Sequence, residues 1–172
     1  MDRVNRILQH PRFDEELRRL ADIEQGRPFC GHGIDHLLDV ARIAYILSLE
    51  TQETSEQQDK ELIYAAALLH DIGRSKQYTD GTPHEIESAV IAAEILTECG
   101  FNEFEADVIL KAILAHRTRN TDKRIGLAGL LYRADKLSRK CFDSADEQPR
   151  KCFACGFVAD CDWEIKTSVL EY

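Results

Sequence analysis

Residues 67–76 read ALLHDIGRSK, and a run of apolar side chains ends there at His70 and Asp71. The apolar run covers residues 62–69, which is far shorter than the roughly 20 residues of a membrane span. An imidazole next to a carboxylate suits a site for a divalent metal, although the end of a surface helix can also carry the pair without a function. The other histidines and acids of the chain distinguish these two interpretations.

The chain has 172 residues, which predicts one domain with room for a small appendage. Its first 20 residues are rich in charge and do not resemble a secretory signal, so we expect a cytoplasmic protein that does not associate with membranes. The sequence gives no information on the oligomeric state.

The net charge of −9 is unevenly distributed along the chain. Residues 111–140 contain nine basic and two acidic side chains, a net charge of +7, so the remaining residues carry −16. An acidic protein binds nucleic acid poorly without specificity, and we therefore expect no nucleic-acid partner. The basic segment is either a solvated helix face or a surface that binds a small phosphorylated ligand.

Apolar periodicity predicts helices and no strands, and hence a compact all-α bundle. We expect helices near residues 3–9, 13–24, 34–50, 82–99, 102–116 and 123–140, and another that begins after Ser55 and ends near His70. Several starts and ends carry capping signals. Ser55 with Gln58 predicts one capping box, Thr82 with Glu85 predicts another, and Asn102 precedes a further helix. Gly100 suits the left-handed residue after a helix.

Four of the six histidines fall at predicted helix ends or on inner faces: His36, His70, His84 and His116. Asp135 lies in the apolar stretch LLYRADKL, where a carboxylate is costly unless it is paired or bound to a metal. Asp71 at a helix C-terminus also opposes the helix dipole. Each residue alone is more often a cap or a surface group, and Asp135 could pair with Arg133, Lys136 or Arg139. The set in this order is what favours a metal site.

Neighbouring residues of a helix point about 100° apart, so His70 and Asp71 can face one ion only where the helix ends. Gly73 would let the chain turn away at once. Asp71 has two oxygens and could bridge two ions.

The ordered set resembles the HD superfamily of metal-dependent phosphohydrolases. HDIG matches a form of the family signature, GHGIDHLLDVARIA is similar to its first-histidine helix, and LLYRADKL is similar to its terminal segment. The similarity covers about residues 30–140. It implies an HD-domain helical bundle over residues 1–140.

In that family one metal would be held by His36, His70, Asp71 and Asp135. The resemblance to two-metal branches implies that Asp71 bridges to a second ion held with His84 and His116. Iron, manganese or zinc would suit these ligands. HD-type diadenosine tetraphosphatases and HD-GYP phosphodiesterases share the two-metal pattern. However, Arg117 stands where HD-GYP proteins have a further histidine, and no GYP element follows.

The resemblance implies hydrolysis of a phosphoester or phosphoanhydride, most simply of a nucleotide, by attack of a metal-bound hydroxide. Asp71 and Arg74 would then be catalytic. The candidates for contacts with the substrate phosphate are Arg74, Lys76, Arg117 and Arg119. His32 and Glu85 would contact the ligands rather than the metals. Glu85 could protonate a leaving group or orient a ligand, or it could simply be the capping-box carboxylate.

Two other functions remain open. HD-fold di-iron oxygenases such as myo-inositol oxygenase have the same ligand order, and a regulatory module could use the pocket only to bind a nucleotide. The ligand set by itself does not separate an oxygenase from a hydrolase.

Residues 141–172 form a predicted Cys-rich tail with four thiols, at Cys141, Cys152, Cys155 and Cys161. One C-x-x-C pair with two further cysteines can hold tetrahedral zinc or an iron–sulfur cluster. A redox dithiol at Cys152 and Cys155, or ordinary packing of small side chains, would explain the same pattern. We expect a metal, because a tail of about 30 residues has little core of its own.

Overall fold

The structure, a computed structural model, describes residues 1–26, 31–50, 59–118 and 126–138. Within these ranges the chain forms α-helices and no strand, which confirms the predicted all-α class. The helices are α1 (Asp2–Leu8), α2 (Pro11–Ile23), α3 (Ile34–Glu50), α4 (Lys60–Leu69), α5 (Arg74–Asp80), α6 (His84–Glu98), α7 (Glu103–Ala115) and α8 (Leu127–Leu137). None of the described helices has both the length and the apolar character that a membrane crossing requires.

Helix α4 lies at the centre of the bundle and packs against α1, α3, α6, α7 and α8. Its residues 65–69 are completely buried, and three of them are alanines. Small side chains let the surrounding helices approach the α4 backbone closely. The C-terminus of α4, and with it His70, therefore lies inside the protein rather than at its surface.

Helix α7 begins as the sequence predicts. The Asn102 side chain accepts a hydrogen bond from the Glu105 backbone N–H (3.0 Å), and the Glu105 carboxylate accepts one from the Asn102 N–H (2.9 Å). These two bonds form the capping box. The preceding Gly100 has a φ of +88°, the left-handed conformation expected after a helix.

The starts of α4 and α6 differ from the prediction. Helix α4 begins at Lys60, and its cap is Asp59, which accepts a hydrogen bond from the Glu61 N–H (2.8 Å). The predicted pair Ser55 and Gln58 lies outside the described residues. Helix α6 begins at His84 without a side-chain cap.

The predicted capping box of α6 is therefore wrong. Thr82 donates its hydroxyl to Asp80 (2.7 Å) instead of capping the helix, because Asp80, the last residue of α5, lies only two positions before it. Glu85 consequently has no capping role and remains available to the site.

Helices α5 and α8 show the limits of apolar periodicity. The sequence RSKQYTD has no apolar stripe, and we did not expect the short α5, which ends at Gly81 with a φ of +83°. Helix α8 was expected over residues 123–140, but it begins at Leu127, directly after Gly126 with a φ of +92°, and ends at Leu137.

Gly73 lies where the start of α5 contacts the first turns of α6. A Cβ added to Gly73 would be 2.4 Å from the Ser88 backbone nitrogen and 2.7 Å from the Glu87 Cβ. The Gly73 N–H also donates to the Ser88 hydroxyl (2.9 Å). The φ of −86° is open to any residue, so glycine is required here by close approach and not by the sharp turn that we expected.

Gly73→Ala should lower the free energy of unfolding by about 1–3 kcal/mol, because backbone atoms of α6 cannot move aside for the added methyl group. Urea denaturation followed by circular dichroism measures this loss. Gly33→Ala is the matched control, since a Cβ there meets no atom within 4 Å, and its effect should stay within about 0.5 kcal/mol. Equal stability of the two variants would contradict the close approach.

Candidate metal centre

Helix ends bring the six predicted ligands together. His36 lies in the first turn of α3, His70 caps the C-terminus of α4 and Asp71 follows it. His84 is the first residue of α6, His116 caps α7, and Asp135 lies inside α8. Their candidate ligand atoms form two groups in which all the atoms lie within 4.8 Å of one another. The first group contains His36, His70, Asp71 and Asp135, and the second contains Asp71, His84 and His116.

Asp71 belongs to both groups through different oxygens. Its Oδ2 lies 3.7 Å from His36 Nε2 and 3.5 Å from His70 Nε2. Its Oδ1 lies 2.9 Å from His84 Nε2 and 3.7 Å from His116 Nε2. One buried carboxylate therefore faces two sets of imidazoles, which is the geometry of a bridging ligand.

Asp135 completes the first group. Its Oδ1 lies 3.6 Å from His36 Nε2 and 3.9 Å from His70 Nε2. Its Oδ2 accepts a hydrogen bond from the adjacent Lys136 Nζ at 3.2 Å. One oxygen of the carboxylate is therefore held in place while the other faces the histidines.

Backbone carbonyls orient two of the four imidazoles. His70 Nδ1 lies 2.7 Å from the carbonyl oxygen of Ala67, and His116 Nδ1 lies 2.6 Å from that of Ile113. These carbonyls belong to the last turns of α4 and α7, where carbonyl oxygens have no N–H partner within the helix. A carbonyl oxygen only accepts, so Nδ1 carries the proton and Nε2 keeps its lone pair for the centre.

Side chains orient the other two imidazoles. His84 Nδ1 lies 2.6 Å from the amide oxygen of Gln77 on α5. His36 Nδ1 lies 3.3 Å from the Ser138 hydroxyl, which itself donates to the Asp135 carbonyl oxygen at 2.9 Å. Because the serine proton is used in that bond, its oxygen accepts from His36. The Nδ1 atoms of all four histidines thus donate, and the Nε2 atoms, which in a neutral ring then keep a lone pair, all lie within 4 Å of an Asp71 oxygen.

Two buried nitrogen atoms of the centre show whether these residues fit a metal. Within the described part of the chain, His36 Nε2 and His70 Nε2 are buried and accept no hydrogen bond. A buried acceptor without a partner costs about 1–3 kcal/mol. A divalent cation between these nitrogens and the two carboxylates would use the lone pairs. A set of imidazoles and carboxylates suits iron, manganese or zinc.

Burial and charge also set the protonation states that a metal requires. Complete burial lowers the pKa of His70 to about 3, so its imidazole is neutral at physiological pH. Burial alone would raise the pKa of Asp71, but the positive charge of Arg74 and the neighbouring histidines hold it well below its usual value. Neutral imidazole and ionised carboxylate are the forms that bind metal ions.

The buried His70 predicts how the metal-depleted protein responds to acid. Its pKa is about 3 when folded and about 6.5 when unfolded, so the unfolded chain binds more protons between these values. The free energy of unfolding should therefore fall as the pH drops below about 6.5, by up to about 1.4 kcal/mol per pH unit. Urea denaturation in EDTA from pH 7.5 to 4.5 measures the slope. The slope should be smaller in His70→Gln, and a stability that rises on acidification would contradict the prediction.

The candidate substrate contacts do not all lie at the centre. Arg74 Nη2 lies 3.0 Å from each oxygen of Asp71. Arg117 follows His116, is partly exposed, and lies 3.6 Å from Glu85 Oε2. Lys76 is exposed, pairs with Asp80 (3.0 Å) on α5, and lines a separate cavity beside α2. Arg119 and the four tail cysteines lie outside the described residues.

His32 and Glu85, which we expected beside the ligands, both lie there. The Glu85 Oε2 atom is 3.7 Å from His84 Nδ1. His32 is buried with its ring edge-on to that of His36, at 5.6 Å between centroids. Its Nδ1 lies 2.6 Å from Glu24 Oε1, and its backbone N–H donates to Glu24 Oε2 at 2.8 Å.

Sequence reasoning missed three groups that hold the histidines, namely Glu24, Gln77 and Ser138. Glu24 follows α2 and holds His32, Gln77 lies on the unpredicted α5 and holds His84, and Ser138 caps α8 and holds His36. None of them has a spacing that marks it as a partner of a histidine. The Ser138 contact joins residues 102 positions apart.

Comparison with known proteins identifies the class. The model of the HD domain family matches residues 33–146, which is more than half of the chain. The chain therefore belongs to the HD domain family, as its HDIG segment predicted. The match includes all six residues of the two groups.

The chain is also similar to individual proteins. An uncharacterized protein of Clostridium beijerinckii is 43% identical over 95% of this chain and 93% of its own length. An uncharacterized protein of Methanocaldococcus jannaschii is 36% identical over 66% of this chain and 63% of its own length. Ribonuclease Y of Oleidesulfovibrio alaskensis is 30% identical over 75% of this chain, but the match covers only 22% of that enzyme.

A solved structure shares the fold. It is the crystal structure of a predicted HD superfamily hydrolase from an uncultured Thermotogales bacterium. That protein is 28% identical, with a TM-score of 0.55 over 74% of this chain and 68% of its own.

Proposed function

We propose that this HD-domain protein is a metal-dependent hydrolase that cleaves a phosphoester or phosphoanhydride, most simply of a nucleotide. The observation that carries the proposal is Asp71, whose two oxygens face two separate groups of metal-ligating atoms. The names of two relatives, an HD superfamily hydrolase and a ribonuclease, support hydrolysis at phosphorus as the reaction class.

Two divalent ions held close together would lower the pKa of a water molecule and neutralise charge on phosphoryl oxygens. The contribution of the chain itself is to hold the ligand side chains in the orientation and protonation state that bind metal. Hydrogen bonds at every Nδ1 keep the four imidazoles in one tautomer, and burial keeps His70 neutral. A site fixed before substrate arrives loses little free energy to reorganisation.

Arg74 and Arg117 are the cations that we propose to bind the substrate phosphate. Arg74 is mostly buried beside Asp71, whereas Arg117 is about 41% exposed next to His116. A guanidinium can donate two parallel hydrogen bonds to a phosphate, which fixes its orientation as well as its charge. The position of Lys76 on the other side of α5 does not favour it for this role.

The function is tested by anaerobic purification, elemental metal analysis and a substrate panel. The panel contains nucleoside mono-, di- and triphosphates, dinucleoside polyphosphates and cyclic dinucleotides, each assayed with metal, with EDTA, and with or without oxygen. We expect phosphate or nucleotide release that requires metal and is independent of oxygen. Oxygen consumption without phosphate release would identify an oxygenase, and binding without turnover would identify a regulatory module.

We also propose that Cys141, Cys152, Cys155 and Cys161 bind one further metal. Cys155→Ser should then lose about one equivalent of zinc or the iron of one cluster, while the metal content of the HD site stays the same. Elemental analysis of the purified proteins measures both. Cys99→Ala is the control, because Cys99 is a buried free thiol in the helical core. Unchanged metal content in Cys155→Ser would leave the tail cysteines with a packing role.

A further inference from the structure

Arg74 lies at the second group of ligands and uses the atoms that a second ion would need. Its Nη2 is 3.0 Å from Asp71 Oδ1 and 3.4 Å from His84 Nε2. The same nitrogen is also 3.0 Å from Asp71 Oδ2. One guanidinium nitrogen therefore contacts two of the three residues of the second group.

The first group differs at its histidines, although Arg74 also contacts the Asp71 Oδ2 that faces this group. The Nε2 atoms of His36 and His70 are buried and accept no hydrogen bond from any described residue. A lone pair that accepts a hydrogen bond from Arg74 cannot be donated to a metal at the same time. A guanidinium within 4 Å of a divalent ion also repels it strongly in a buried site. At the first position Arg74 therefore shares only the Asp71 carboxylate and both histidine nitrogens keep their lone pairs, whereas at the second position Arg74 contacts the carboxylate and a histidine nitrogen.

We propose that Arg74 determines the occupancy of the second metal position, so that the two ions bind in a fixed order. The first ion binds between His36, His70, Asp71 and Asp135. The second ion competes with Arg74 for Asp71 Oδ1 and His84 Nε2, and its binding releases the guanidinium. The released Arg74 then binds a substrate phosphate, and this step alone rests on the proposed function.

Two observations concern the freedom of the Arg74 side chain. It is 15% exposed, so part of it borders solvent. Its Nε is buried and has no hydrogen-bond partner among the described residues. A phosphate above the centre could accept bonds from both Nε and an Nη atom, which is the bidentate contact that arginine favours. We expect the Arg74 side chain to move while the backbone stays in place, because the Gly73 N–H donates to the Ser88 hydroxyl and holds the backbone against α6.

Calorimetric titration of the metal-depleted protein with Mn²⁺ tests the proposal without any substrate. We expect two binding steps in the wild type, the second of them weaker. Arg74→Met, which removes the charge and the donors but keeps a long side chain, should tighten the second step about ten- to a hundredfold, because the competing charge-assisted bonds are lost. The first step should change much less. Electron paramagnetic resonance should detect the spin-coupled Mn²⁺ pair at a lower metal concentration in this variant.

Arg18→Met is the matched control, since Arg18 is exposed on α2 and pairs there with Asp14 (2.8 Å). It should bind both ions as the wild type does. A second step that is unchanged or weaker in Arg74→Met would overturn the proposal. Retention of the first step shows that the variant is folded. If it is not retained, Arg74→Lys provides the test, because a single ammonium should compete less well than a guanidinium, and an unchanged second step would again overturn the proposal.

These outcomes are distinct from a failure of the proposed function. Release of phosphate by the wild type would support hydrolysis whatever the effect of Arg74 on metal affinity. Conversely, a tighter second step in Arg74→Met would support the control of occupancy even if no substrate in the panel were cleaved.

Discussion

Asp71→Ala should empty both metal positions together and reduce phosphate release by at least about a thousandfold. Each oxygen of Asp71 faces one of the two groups, so a single substitution removes a ligand from both. The loss of one well-placed electrostatic stabiliser alone costs about 10²–10³ in kcat. Loss of two cations should cost more. Arg74 would also lose its carboxylate partner, which adds to the effect.

Elemental analysis and the metal-dependent assay together measure this result. Asp39→Ala is a suitable control, because Asp39 lies on α3 and pairs only loosely with Arg42 at 3.4 Å, so its loss removes the same charge from the surface. Circular dichroism at 222 nm should confirm that both variants are folded. Full turnover by Asp71→Ala would rule out the bridging carboxylate, and loss of only one equivalent of metal would confine Asp71 to one position.

His84→Ala should produce the second-largest effect, and a selective one. His84 belongs to the second group alone, so the variant should retain about one equivalent of metal instead of two. The first group keeps its two histidines and two carboxylates. We expect activity to fall by at least about a hundredfold, because one of the two ions that clamp the phosphoryl oxygens is lost.

Asp135→Ala is the reciprocal experiment. Asp135 belongs only to the first group, so this variant should lose the first ion. If the ions bind in order, it should lose the second as well. Equal metal content of one ion in the two variants at saturating Mn²⁺ would contradict ordered binding, and loss of both ions from His84→Ala would contradict the division of the centre into two groups. Titration of both variants over the same concentration range provides the comparison.

Helix α7 shows what sequence patterns predict well, and α5 shows what they do not. The start of α7 depends on Asn102 and Glu105, which lie three residues apart and make only local bonds. Helix α5 has few apolar residues, and it is held by contacts with α2 and α6 that no local pattern reveals. Gly73 belongs to the same class, because the close approach that requires glycine involves residues 14 and 15 positions later.

The same distinction applies to the site. The six residues of the two groups were named from a family motif, and the structure brings all six together. The carbonyls that orient His70 and His116 lie three residues before them, so helix geometry alone accounts for those contacts. Glu24, Gln77 and Ser138 lie on other elements and depend on tertiary packing. Lys76 was named because it is close to Arg74 in the sequence, whereas in the structure it lines the cavity beside α2 and pairs with Asp80.

The hydrogen bonds that orient the imidazoles are of two kinds, which differ in how a substitution affects them. Ala67 and Ile113 contribute main-chain oxygens, so replacing their side chains leaves the bonds to His70 and His116 in place. Gln77 and Ser138 contribute side-chain oxygens, which a single codon change removes. Each of the two groups of ligand atoms therefore combines one imidazole oriented by the main chain with one oriented by a side chain. Substitution of residue 77 or residue 138 should thus alter one group at a time, without replacing a ligand.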